Sequence, residues 1–245
     1  FNKMSTLVSA FVSNVNGRYN DTLTRYYNFG KLLLKSNSPK IIFVDEPMFD
    51  LIGDEYDKSN TVIIKINSTD IYLYNYNSNL SNFVVNSTNH SKDTKEFMFT
   101  MCNKTEWIKE AILLNYFGTT DFIWVDFGIR HVFKCSDEEF IEKLNKLKYK
   151  TYNGVRIGSI WNLDMIHNID IYKDIMWYFA GGVFGGNANS LLHFSELMKE
   201  KCVDIITKSN TIMWEVNIWY LIYIETKEIF DIYNCSHDNS IIDNY

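Results

Sequence analysis

Only two prolines, four cysteines and eleven glycines occur among the 245 residues, and no apolar run approaches membrane-spanning length. Each scarcity excludes something. With no Pro/Gly-rich tract, no linker divides the chain. The cysteines, Cys102, Cys135, Cys202 and Cys235, are spaced by 33, 67 and 33 residues, with no C-x-x-C pair, which fits no zinc pattern. Four thiols are too few for a disulfide scaffold, so they are expected to be mostly free and buried, which favours a reducing compartment. Positive charge is short as well: 24 Lys and Arg face 30 Asp and Glu, giving a net charge of -6. A dedicated nucleic-acid binder would need a basic surface to neutralise phosphates, and no such partner is expected. The longest strongly apolar stretch, Ile218 to Ile224, is a core element rather than a membrane span. No signal peptide opens the chain, so a cytoplasmic protein is expected. The opening Phe1 leads us to expect further sequence upstream.

What is present is 46% hydrophobic and 16% aromatic, enough to bury a sizeable core. Seven N-x-S/T triplets, at Asn20, Asn67, Asn79, Asn86, Asn89, Asn103 and Asn234, are what an Asn-rich composition produces by chance, and glycosylation is the lesser reading. Short β-branched or apolar runs at Thr6 to Val12, Lys40 to Val44, Thr61 to Ile66 and Phe122 to Val125 predict buried strands. Helical spacing predicts helices from Asp21, its cap, to Leu34, from Asn103 to Tyr116 with an Asn103/Glu106 capping box, and after Ser136 with a Ser136/Glu139 box. Pro47 suits the start of a short helix. Further strands are expected at Arg156 to Ile160, Trp177 to Phe184 and 229–233, and helices near 189–201 and 214–224. Residues 67–95, rich in Asn, Ser, Thr and Tyr, read as a polar surface insertion without chemistry. Alternating strands and helices predict one α/β domain of parallel strands with crossover helices.

In such a sheet, ligands bind beyond the carboxyl ends of strands, where the strand order switches. Ser13/Asn14, Asp45 and Asp126 occupy those ends. Asp126 closes FIWV and precedes Phe127-Gly128, a position from which a carboxylate can hold a hard divalent cation or simply cap a loop. Gly181, Gly182, Gly185 and Gly186 interrupt an aromatic strand, which calls for a close approach or a bend. Glu215 stands between Trp214 and Val216 in an apolar setting and needs either a partner or a task. His237 follows the last strand and can return to the sheet edge. Lys104 and Arg130 flank the Asp126 element and can pair with phosphates. Trp177, Tyr178, Trp214, Trp219 and Tyr220 can stack on sugars or pack a core. His90, His131, His167 and His193 show no metal-binding spacing. No Walker A, G-x-G-x-x-G or G-x-S-x-G pattern occurs.

The element Trp124-Val125-Asp126-Phe127-Gly128-Ile129, preceded by NYFGTTDF and followed by FAGGVFGG and an acid in a Trp-flanked helix, resembles the GT-A glycosyltransferases. It is most similar to the WlaTC/HtrL-type family, whose chains carry W-[IV]-D-x-G-I. WYFAGGVFGG with Glu215 downstream also resembles the retaining family of the blood-group transferases. The resemblance implies a GT-A-like, Rossmann-type mixed sheet flanked by helices in a single domain. About residues 5–128 would form the nucleotide-sugar-binding half and about 129–245 the acceptor-binding half.

It further implies transfer from a nucleotide-sugar donor, UDP-linked by preference, to a hydroxyl on a carbohydrate or glycosylated acceptor. Mn²⁺ or Mg²⁺ would assist. By the same resemblance Asp126 and His237 would bind the metal, Phe11 and Ser13 would line base and ribose, and Asp45 would close the second strand. Gly181 and Gly182 would lie where donor and acceptor meet, and Glu215 beside the anomeric carbon. The usual second acid of D-x-D is Gly128 here, which weakens the expected metal site. Two alternatives stand beside this: an inactive glycosyltransferase-like module that binds carbohydrate or protein, and a different α/β enzyme acting on phosphorylated substrates.

Overall fold

The computed structural model describes residues 4–13, 15, 22–84, 86–162, 166 and 170–245. Asn14, Asn20, Asp21 and His167 lie outside the described residues. Seven strands form one sheet: β1 (Ser5–Phe11), β2 (Lys40–Val44), β3 (Thr61–Lys65), β4 (Asp121–Val125), β5 (Val155–Ser159), β6 (Phe179–Asn187) and β7 (Phe230–Asn234). Their spatial order is β3-β2-β1-β4-β6-β5-β7. The chain therefore builds outward from β1 to β3, then reverses to place β4 on the other flank of β1. β1 pairs in parallel with β2 and β4, and β2 with β3, as the apolar runs predicted. The expectation of parallel strands fails at β6, which runs antiparallel to both β4 and β5. The sheet is mixed, and it is continuous across the two predicted halves, because β4 of the first pairs directly with β6 of the second.

The helices are α1 (Thr22–Lys35), α2 (Glu46–Ile52), α3 (Lys95–Cys102), α4 (Lys104–Leu114), α5 (Asp137–Leu147), α6 (Ala188–Ser209), α7 (Glu215–Glu225) and α8 (Ser240–Asp243). Side chains alternate across a strand, so consecutive apolar residues bury both faces of the sheet. Ile41, Phe43, Phe122 and Trp124 pack on one face with residues of α3, α4, α6 and α7. Ile42, Val44, Ile123 and Val125 pack on the other with α1, α2, α5 and α8. The Ser136/Glu139 capping box forms at the start of α5, and Pro47 sits in the first turn of α2. The Asn103/Glu106 box does not form. Asn103 is itself near-helical at the junction of α3 and α4, and Glu106 instead accepts from Ser195 Oγ at 2.9 Å.

Residues 67–95 differ from the expected surface insertion. They coil into short 3-10 turns whose Ile71, Leu73 and Leu80 are buried in the core. Thr94 donates to the carbonyl of Val15, which ties the segment to the loop after β1. All four cysteines are free. Among the described residues no helix is long and apolar enough to cross a membrane.

At the amino-terminal edge of the sheet, Lys40 is fully buried and donates to Ser36 O (2.8 Å), Asn60 Oδ1 (2.9 Å) and Thr61 Oγ1 (3.0 Å). Burial lowers its pKa to about 8, with Asp57 opposing and Lys148 adding to the shift. The folded value lies below the unfolded one, so between the two the unfolded chain holds more protons and stability rises with pH. Lys40→Met removes that rise. In urea unfolding at pH 7 and pH 10, we expect the stability difference between wild type and Lys40→Met to move in favour of wild type by about 1–3 kcal/mol on going to pH 10.

Candidate active site

The polarity of the strands decides where side chains gather. β1, β2 and β4 are parallel, so Phe11, Asp45 and Asp126 emerge at one edge. Because β6 runs the other way, its beginning, Phe179 to Gly182, returns to that same edge. β5 and β7 are parallel to each other and opposed to β6, so the exit of β7 brings His237 there as well. The switch between β1 and β4 thus opens a cavity of about 170 Å³. Phe11, Asp126, Gly181, Gly182, Glu215, Lys104 and His237 all line it. Asp45 and Ser13 do not line it. They close on each other instead, Ser13 donating to Asp45 Oδ2 through its backbone N–H (2.8 Å) and its hydroxyl.

The floor is an ion triad. Lys104, at the start of α4, is buried with its ammonium 2.9 Å from Asp126 Oδ1 and 2.8 Å from Glu215 Oε1. It also donates to the carbonyl of Gly181 at 3.0 Å. An ammonium has three N–H donors, and these three acceptors use them all. Burial by itself lowers the pKa of Lys104, but Asp126 and Glu215 together outweigh it and hold the group above the usual lysine range. The same ammonium lies 5.9 Å from the ring centroid of Trp124, whose indole N–H donates to Asp126 Oδ1 at 2.6 Å. Lys104 is therefore committed within the protein rather than presented to phosphates. Arg130 is committed too, to Asp137, Phe133 O and Cys135 O, and does not line the cavity.

The glycines fit around this triad. A methyl on Gly181 would lie 2.8 Å from Glu215 Oε1, so a larger residue there would push the carboxylate from its place beside Lys104. Gly182 lies opposite Asp126, whose N–H bonds the Gly182 carbonyl at 2.9 Å. Two buried polar atoms on the wall have no partner: Glu215 Oε2 and the indole nitrogen of Trp214. Leaving such groups unpaired costs roughly 1–3 kcal/mol each.

Around His237 and Phe11 the rim carries groups that the sequence did not single out: Lys92, His131 and Tyr26. Lys92, from the segment expected to hold no chemistry, lies 5.2 Å from the ring centre of Phe97 and 5.6 Å from that of Trp214. His131 is held through Nδ1 to Gly128 O at 2.5 Å. His237 packs against Trp177 at 5.9 Å, and its pKa is lowered by burial first and then by His131 and Lys92. Tyr26 and Phe127 flank Phe11, at 5.1 and 5.7 Å between ring centres. Of the aromatic residues proposed for stacking, Trp177 and Trp214 line the cavity. Trp219 is fully buried against Phe184 and Phe194, and Tyr178 and Tyr220 pack on each other.

Asp126 and His237 do not by themselves make a complete site for a divalent ion. Asp126 Oδ1 is already occupied by Lys104 and Trp124, and among the described residues no three of His, Cys, Asp and Glu converge. The place of the second acid is closed as well: a Cβ on Gly128 would lie 2.4 Å from the ring of Tyr26.

No family model and no curated protein matches the chain. Several solved structures are distantly similar. Mouse xyloside xylosyltransferase 1 in its apo form shares 11% identity with a TM-score of 0.49, over 94% of this chain and 85% of that one. The 4-diphosphocytidyl-2C-methyl-D-erythritol synthase of Anaerococcus prevotii DSM 20548 shares 11% at 0.43, over 95% and 87%. A protein of Mycobacterium tuberculosis H37Rv in complex with manganese shares 7% at 0.42, over 98% and 90%. Likeness at this level says nothing of what this chain does.

Removing the ammonium from the triad strands Glu215 as a buried carboxylate. Lys104→Met is expected to lower unfolding free energy by about 3–5 kcal/mol, because one partner of a buried pair is left uncompensated. Adding Glu215→Gln should recover most of that loss in a double-mutant cycle measured by chemical denaturation.

Proposed function

We propose that the chain is a glycosyltransferase that moves a sugar from a nucleoside-diphosphate donor, UDP-linked by preference, to a hydroxyl acceptor. The observation that carries this reading is the meeting of Asp126 and Glu215 on one ammonium at the floor of a cavity at the strand-order switch, with Glu215 Oε2 left unpartnered. Such a floor suits a reacting centre that becomes positive, as the anomeric carbon does when its bond to a diphosphate loosens.

The residues take roles by position. Phe11, with Tyr26 and Phe127 beside it, offers aromatic surface to the base, and Asp45 holds the Ser13 loop next to it. Residues of the first half, about 5–128, would carry the donor and those of about 129–245 the acceptor. Trp177 and Trp214 offer faces for sugar rings. Lys92, His131 and His237 on the rim present cationic or N–H groups to the diphosphate. In the transfer, the bond between C1 and the diphosphate oxygen breaks with its electron pair going to the diphosphate. The acceptor oxygen bonds C1, and the acceptor proton leaves on the nucleoside diphosphate. The Glu215 carboxylate at the floor stabilises the positive charge on the sugar through its field while this happens. No step is routed through a divalent ion.

Incubation with a panel of UDP- and GDP-sugars tests this. We expect release of free nucleoside diphosphate, and at least a hundredfold slower turnover (about 10²) in a Glu215→Gln protein whose circular dichroism is unchanged. Pyrophosphate release would identify a nucleotidyltransferase instead. Donor binding with no turnover toward acceptor or water would identify a non-catalytic carbohydrate-binding module.

A further inference from the structure

We propose that Lys104 is the resident cation of this site, and that the cavity binds its diphosphate ligand without a divalent ion. This rests on the functional reading above for the identity of the ligand, but not for the behaviour of the metal. Three independent observations lead to it.

The first is occupancy. The carboxylate that would face a cation has one oxygen already taken by two donors, the Lys104 ammonium at 2.9 Å and the Trp124 indole at 2.6 Å. A metal bound through that oxygen would have to displace a charged hydrogen bond, which is the strong kind, and Oδ2 of the half-buried Asp126 would remain to it as a single carboxylate oxygen. The second is space. Restoring an acid at position 128 would drive its Cβ to 2.4 Å from the Tyr26 ring, so the missing second ligand is replaced by an aromatic wall and not by an open position. The third is charge. Asp126 and Glu215 without Lys104 would present two negative charges to an incoming diphosphate. With it the floor carries one, and the ammonium sits 2.8 Å from Glu215, the carboxylate placed beside the sugar. The lysine is a positioning residue: its donors are spent on the two acids and the Gly181 carbonyl, and it acts on the ligand through them.

Two measurements test this on the intact chain. In the first, Mn²⁺ alone is titrated and free ion is followed by electron paramagnetic resonance. Wild type and Lys104→Arg should bind no stoichiometric Mn²⁺ at submillimolar concentration. Lys104→Gln, which frees both carboxylates, should acquire it together with a Mn²⁺-dependent rise in melting temperature. Stoichiometric binding by wild type that is lost in Asp126→Asn would overturn the proposal, and this comparison remains decisive if Lys104→Gln does not fold. In the second, UDP is titrated calorimetrically in EDTA and in millimolar Mn²⁺. The dissociation constants should agree within about twofold. A tightening of about tenfold or more by Mn²⁺ would overturn metal independence while sparing the transferase reading. Absence of UDP binding under both conditions would count against the transferase reading, and the Mn²⁺ titration would still decide the role of Lys104.

Discussion

One buried ammonium holds the candidate site together. Lys104 joins the end of β4, the beginning of β6 and the first turn of α7 through Asp126, Gly181 and Glu215. Moving the Glu215 carboxylate and the Lys104 ammonium out of water is expensive, and such a pair persists only when geometry and additional hydrogen bonds compensate. Here the compensation is visible: three acceptors for three N–H donors, and the Trp124 indole for the same carboxylate oxygen. The glycine at 181 follows from the carboxylate at 215, and the carboxylate requires the lysine at 104.

The triad depends in turn on strand direction. Were β6 parallel to β4, its Gly181–Gly182 segment would fall at the opposite edge of the sheet, and Asp126 would face no backbone carbonyl from it. The antiparallel insertion of β6 between β4 and β5 returns the chain to the carboxyl edge, and α7 then lays Glu215 over that point. The reversal in strand order on either side of β1 opens the cavity, and the reversal in strand direction at β6 furnishes one of its walls.

Much of this was legible in the residues. Apolar runs of four to seven residues, too short for helices, located β1, β2 and β4 closely, because a strand buried on both faces has no alternation to confuse with anything else. The Ser136/Glu139 box worked because it is local. The direction of β6 was not legible, since strand direction depends on the length and path of connections and not on the strand itself. The Asn103/Glu106 box misled because α3 and α4 meet there nearly continuously, which leaves no free helix start to cap. Asp126, Glu215 and the glycine pair stood out as residues in unlikely surroundings. The pairing of Lys104 with both acids did not, because a lysine in sequence looks solvated by default and its burial is a tertiary fact. Lys92 and Tyr26 were missed for a related reason: neither belongs to a motif, and the polar segment that carries Lys92 is brought in by tertiary contacts such as the tie from Thr94 to Val15.

Charge gives the site its direction. The chain carries a net charge of -6, which by itself repels an anionic donor. Within the cavity the distribution is layered. The acids lie at the floor and are half neutralised by Lys104, while Lys92 and two histidines stand at the rim. Under the proposed transfer, that layering would favour a diphosphate at the rim and a positively charged sugar at the floor. The layered arrangement keeps the positive charge at the floor confined to a lysine that is already shared between two carboxylates, and leaves Glu215 Oε2 buried there without a hydrogen-bond partner.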